Sequence, residues 1–196
     1  MSVHVHTADT PQLRLDVWWE TSSTGTNPLS RLFSPTPDID SGMLLIREDG
    51  VVVDESYYGQ LRTQDGSIQH HGGDNIDAPL VYEAGKHQDQ YDIALDTVNN
   101  VVSELHVGIF GDSMGLNDPK RKMERLTYTL SYPYEEGRIV LAEGELDTVP
   151  EANGVHIASL IREGKHGWVF SSVLAPVQSK NVRDFHQVFF PPDTSA

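Results

Sequence analysis

Apolar residues along this chain recur at every second position or in short unbroken runs, and almost nowhere at the three-and-four spacing of an amphipathic helix. The pattern predicts strands at 13–19, 43–47, 51–53, 67–70, 91–95, 104–110, 126–132, 138–142, 156–162 and 168–174. Several are bounded by Gly, Pro, Asn or Asp, the spacing of an all-β two-sheet sandwich with short helices or none. Residues 126–132 show the clearest alternation: Leu126, Tyr128, Leu130 and Tyr132 stand against Thr127, Thr129 and Ser131, which suits a sheet with one buried face. Because neighbours on a strand point to opposite faces, only one of Trp18 and Trp19 can face inward, and it is expected to meet Trp168 and Phe170.

The segments between the strands carry their own signals. Residues 22–37, rich in Ser, Thr, Pro and Gly, read as a long loop. The basic stretch 119–125 is the one place that reads as helix-like or irregular, with Asp118 before Pro119 able to cap a single turn. Phe185, Val188, Phe189 and Phe190 near the end form an aromatic cluster, expected to dock on the domain because exposed aromatic clusters are a liability. The resulting organisation is an N-terminal extension at 1–12, one domain at 13–175 and a docked tail at 176–196.

Charge narrows the function classes. With 196 residues, a formal net charge of -15 and a sequence pI of about 4.8, the protein would be repelled by nucleic acid and by anionic membrane. The absence of cysteine excludes disulfides, thiolate catalysis and zinc–thiolate sites. MSVHVHTADT lacks the basic and apolar regions of a secretory signal, and no apolar run is long enough to cross a bilayer, so a cytoplasmic protein is expected.

Candidate chemistry concentrates between Pro37 and Asn75. Asp38 and Asp40 share one face of an extended segment, and turns at Glu48-Asp49-Gly50, Gln64-Asp65-Gly66 and Gly72-Gly73-Asp74-Asn75 follow. Glycines beside carboxylates and amides suit calcium, a hard ion ringed by oxygen ligands. They suit plain hairpin turns equally well, and no complete EF-hand pattern is present.

Beyond spacing, the block Tyr57-Tyr58-Gly59-Gln60-Leu61-Arg62-Thr63-Gln64-Asp65-Gly66-Ser67-Ile68-Gln69-His70, closed by Gly73-Asp74-Asn75, resembles the core signature of the TerD family of tellurite-resistance and stress proteins. Asp38-Ile39-Asp40 before Met43-Leu44-Leu45 is similar to that family's acidic pair, and Trp18-Trp19 to the end of its opening strand. The resemblance covers most of residues 13–173 and is specific only in the central block. It implies a non-enzymatic, calcium-binding β-sandwich that works with other proteins of a stress-response system. The implied ligands are Asp38, Asp40, Asp74 and Asn75, supplemented by Glu83 and Asp89, with Asp77 a substitute and carbonyl oxygens near Leu61 completing the shell. The chain departs from the family where a dense Gly, Glu and Asp run is expected. Over residues 76–89 only Asp77, Glu83 and Asp89 remain acidic, while Lys86 and His87 intrude and 27–35 is inserted upstream. One calcium site at most is expected, and a protein-interaction module with weakened or lost calcium binding is the alternative.

Nine histidines raise other metals. His70-His71, Asp74 and His87 are of the types that suit zinc, nickel or iron. A structural His70-His71 pair, with an imidazole bonded to a carbonyl, is the expectation, and His106 and His156 are expected as satisfied strand histidines. Ser113 in Gly111-Asp112-Ser113-Met114-Gly115 lacks the Gly-x-Ser-x-Gly spacing of a nucleophile elbow, so no catalytic residue is assigned.

Overall fold

The computed structural model describes residues 1–23, 39–72, 86–111, 116–118, 121–135 and 137–189. Its strands are β1 (Ser2–His6), β2 (Gln12–Ser23), β3 (Ile39–Ile46), β4 (Val52–Tyr57), β5 (Ile68–His70), β6 (Lys86–Ala94), β7 (Glu104–Gly111), β8 (Asn117–Asp118), β9 (Arg121–Tyr134), β10 (Gly137–Leu146), β11 (Gly154–Glu163) and β12 (Gly167–Val177). A single short helix, α1 (Val182–Phe185), and a 3-10 turn, His186–Val188, follow. Every pairing is antiparallel. One sheet runs β1-β12-β11-β7-β3-β4 and the other β10-β9-β2-β6-β5, with β8 beside β9. The protein is an all-β sandwich.

The main core lies between the sheets. Alternate residues of β2 (Leu13, Leu15, Val17, Trp19) and of β9 (Leu126, Tyr128, Leu130) face Leu105, Val107 and Ile109 of β7 and Trp168 and Phe170 of β12. Trp19 is the inward member of the tryptophan pair at 4% exposure, whereas Trp18 is 45% exposed. The first residues of the chain join this architecture, since β1 pairs with β12 from Ser2↔Ser171 to His6↔Gly167.

Two stretches differ from the pattern read along the chain. The basic segment is neither helical nor irregular where it is described: β9 begins at Arg121 and pairs with β2 along most of its length. Apolar anchoring outweighs the Lys-Arg-Lys charge there: Met123 and Leu126 are both fully buried in the core, brought to one face by the register shift between them. Of the aromatic cluster near the end, Phe185 and Phe189 dock through a helical turn capped by the Asn181 side chain, which accepts from the Asp184 N–H, Val188 stays exposed, and Phe190 lies outside the described residues.

That docking explains the unbroken apolar run of β3. Met43 and Leu45 face the main core, whereas Leu44 and Ile46 face outward into a second cluster with Phe110, Val177, Val182 and Phe185. A strand buried on both faces loses its polar alternation. Close approach of α1 needs Gly42, where an added Cβ would stand 2.8 Å from Val182.

Candidate functional site

Three features of the frame meet at one end of the sandwich: the start of β3, the end of β5 and the start of β6. Asp89 of β6 reaches across the inter-sheet space to β3, where its Oδ2 accepts from the Ser41 backbone N–H at 3.0 Å and from Ser41 Oγ at 2.6 Å. Ser41 Oγ is also 2.5 Å from the Tyr91 hydroxyl. Burial first, then the charges of Asp89 and Asp40, push the Tyr91 phenol up and keep it protonated. Tyr91 therefore donates to Ser41, and Ser41 donates to Asp89. The chain of bonds delivers hydrogen-bond donors to a carboxylate only 4% exposed.

His70 completes this group in an unusual way. It is 1% exposed and stacks on Tyr91 with ring centroids 4.6 Å apart. Its Nε2 stands 3.6 Å from Asp89 Oδ1, beyond hydrogen-bond length, and neither ring nitrogen has a hydrogen-bond partner among the described residues. The expected bond to a carbonyl is absent at His70. A buried imidazole with both nitrogens unmatched, beside a carboxylate oxygen that takes none of Ser41's donors, leaves polar capacity here for a further group.

The structure also separates residues that the sequence places together. His71 turns to the other face of its sheet, with Nε2 2.8 Å from Asp92, and Arg14 grips the same carboxylate at 2.6 and 3.0 Å. Partial burial opposes ionisation of Asp92, but the bonds from Arg14 and His71 prevail and hold its pKa below the usual value. His87 stacks on Trp19 at 5.5 Å. His70, His71 and His87 thus serve three different partners. The Leu61 carbonyl accepts from the His70 N–H at 2.7 Å and from the Gln69 amide at 3.1 Å, so its lone pairs are engaged within the fold.

Of the candidate cation ligands, Asp40 and Asp89 lie among the described residues, while Asp38, Asp74, Asn75, Asp77 and Glu83 lie outside them, as do Asp112 and Ser113. Alternation on β3 puts Asp40 on the face opposite Ser41, although its charge is still felt at Tyr91. Among the described residues no group of three or more His, Asp or Glu side chains is arranged to hold a metal ion. Asp40 and Asp89 alone do not make a calcium shell, which takes six to eight oxygens.

The central turn block has a structural task that spacing alone does not reveal. Asp65 Oδ1 accepts from Thr63 Oγ1, Ser67 N–H and Ser67 Oγ at 2.7–2.9 Å, and its Oδ2 accepts from the Asn99 N–H at 3.0 Å. Partial burial works against its charge, but these donors outweigh it and lower the pKa. Gly66, at φ +74°, makes the turn possible. The block pins β5 against the loop that follows β6 and so fixes where His70 sits.

No family model matches the chain, and no curated protein matches it. Solved structures do. A crystal structure of a protein of unknown function, SAV2460, aligns with a TM-score of 0.63 at 15% identity, covering 89% of this chain and 94% of that one. The crystal structure of a homologue of telluride resistance protein (TerD), SCO6318 from Streptomyces coelicolor A3(2), aligns at 0.62 with 14% identity, covering 89% and 95%. The chain has a TerD-like fold.

Proposed function

We propose that this protein is a divergent member of the TerD family: a cytoplasmic, non-enzymatic protein that binds one calcium ion and works with other proteins of a stress-response or tellurite-resistance system. The observation that carries the reading is the Asp89–Ser41–Tyr91 chain, with the unmatched His70 beside it, at the end of the sandwich where β3 and β6 begin and β5 ends. Sequence order attaches the remaining ligands to these same strand ends. Asp38 immediately precedes β3, Asp74 and Asn75 follow β5, and Glu83 precedes β6. The donor set is carboxylate and amide oxygen, the chemistry of a hard divalent cation. Asp38, Asp40, Asp74, Asn75 and Glu83 would hold the ion. Asp89 would supply its less committed oxygen, or orient the site from behind through Ser41. Bound calcium would neutralise carboxylates that otherwise repel one another and oppose folding.

Calcium titration by calorimetry, with melting curves in chelator and in millimolar calcium, tests this. At free calcium a hundredfold above Kd, mass action stabilises the fold by about 2.7 kcal/mol. Asp74→Ala should abolish that rise and leave the calcium-free fold intact, with a melting temperature no lower than that of wild type. A wild-type protein that melts identically in both conditions rejects calcium binding.

One observation favours a second reading, a TerD-descended interaction module without a strong cation site. One Asp89 oxygen is already filled by two Ser41 donors, and the only described acidic candidates besides it reduce to Asp40. On that reading calorimetry is silent, and binding to a partner protein of the same system is insensitive to chelator.

A further inference from the structure

The outer face of the β3–β7–β11 surface carries two histidines that the cation reading does not use. His106 on β7 and His156 on β11 are 4% and 6% exposed, with His106 Nδ1 3.4 Å from His156 Nε2. His106 Nε2 is 2.8 Å from Glu104 Oε2, and His156 Nε2 is also 3.1 Å from the Ala158 carbonyl. That carbonyl is available because β11 is bulged between His156 and Ala158 in its pairing with both neighbours. One proton arrangement satisfies these contacts: His106 donates to Glu104 from Nε2, and the His156 Nε2–H is shared between the Ala158 carbonyl and His106 Nδ1. A proton added to His106 Nδ1 would set two donors against each other.

The lid over this pair is the chain's own end. The Phe189 ring stacks on His106 at 4.0 Å and meets His156 edge-on at 5.0 Å, and Phe185 meets His156 at 5.2 Å. We infer that the segment from α1 to Phe189 is an acid-released cover, held down while His106 and His156 are neutral and let go when His156 takes a proton, uncovering the apolar strip of Leu44, Ile46 and Phe110.

The surroundings give the charged form little compensation. Glu104 is the carboxylate at hand, and it bonds His106. Opposite His106, β3 brings Leu44, and opposite His156, β12 brings Ala175. From the cover, Arg183 turns to Glu55 and to the Tyr57 hydroxyl, Asp184 to Asn181, and His186 to the Arg183 carbonyl. Burial foremost, then the neighbouring His106, lowers His156 from 6.5 to about 4, and burial lowers His106 despite Glu104. The sign follows directly. The docked form binds fewer protons than the open form between pH 6.5 and about 4, so docking is unaffected above 6.5 and weakens as pH falls through that window. If opening returns His156 to its ordinary value, the opening constant rises about 70-fold between pH 7.5 and 4.5.

The absence of native cysteine allows a direct reading. Val182→Cys places one thiol on the buried face of the cover itself, and its reaction rate with 4,4′-dithiodipyridine, divided by that of an unstructured peptide at the same pH, measures opening. Val17→Cys, in the main core, reports global unfolding in parallel. All measurements are made in chelator, so the outcome is independent of the calcium reading. The expected result is a rise of tens-fold for Val182→Cys, bending between pH 6.5 and 4, with Val17→Cys still protected and the rise reduced to less than threefold by adding His156→Gln. A flat profile overturns the proposal, as does an equal rise in the His156→Gln background or a core thiol that opens in step. Should His156→Gln fail to fold at pH 7.5, the wild-type profile decides alone, because a rise confined below pH 4 belongs to carboxylates and overturns the histidine latch.

Discussion

Removing the Asp89 side chain tests whether the buried chain at the candidate site is held by hydrogen bonds or merely tolerated. In Asp89→Ala the Ser41 N–H and hydroxyl, both within a residue 1% exposed, lose their acceptor. Each unmatched buried donor costs about 1–3 kcal/mol, and the released burial of a charge offsets part of that, so a net loss of about 2–5 kcal/mol is expected. For a chain of this size that lowers Tm by about 4–20 °C. Asp89→Asn keeps an oxygen for Ser41 and turns its amide toward His70, whose unmatched ring nitrogen can accept, and should cost about 1 kcal/mol or less. Urea denaturation at pH 7.5 in chelator measures both without any contribution from bound ion. The double variant Asp89→Ala/Ser41→Ala supplies the coupling: with Ser41 Oγ gone one orphaned donor disappears, so the two losses should fall short of additivity by about 1 kcal/mol or more. Strict additivity would refute the network, and an Asn variant as unstable as the Ala variant would show that charge, not the acceptor geometry, is what Ser41 and Tyr91 require.

Trp19→Ala should cost about 3–5 kcal/mol in the same assay, because it empties a core position, while Trp18→Ala should stay within about 0.5 kcal/mol; the reverse order of losses would place the strand one residue out of register. The folded state holds the Asp65 pKa below the ordinary 3.8, so the stability it provides is present above pH 3.8 and is lost as pH falls below it. Asp65→Asn should therefore be less stable than wild type at pH 7 and converge with it in acid, as read from urea midpoints between pH 2.5 and 7; a constant gap across that range would exclude the carboxylate as the cause.

The sandwich was legible because alternation is a local property. Residues 126–132 could hardly be read any other way, and the inward choice between Trp18 and Trp19 reduced to parity. What local reading could not supply was a second layer. The run Met43–Ile46 looks the same whether a strand is buried on both faces or lies in a helix, and only α1, more than 130 positions later, decides between them. The basic residues of β9 misled for the complementary reason: charge on an exposed strand face says nothing about backbone conformation once Met123 and Leu126 are anchored in the core.

At the candidate site, local reading does not show how the side chains are engaged. The turn block that carries the resemblance commits its carboxylate to backbone and hydroxyl donors, and its histidine has no hydrogen-bond partner among the described residues. His71, adjacent to it, is fully engaged on the other face with Asp92. Adjacency in sequence means opposition across a strand, so a histidine pair cannot serve one ion from the same sheet. Ser41 and Tyr91 passed unnoticed because neither residue type signals a site by itself. They matter only through Asp89, 48 positions from one and two from the other, which packing of the two sheets face to face brings within 2.6 Å of the Ser41 hydroxyl. On the proposed reading, an ion or partner bound at this end of the fold would meet a carboxylate already oriented by a serine that a protonated tyrosine holds in place.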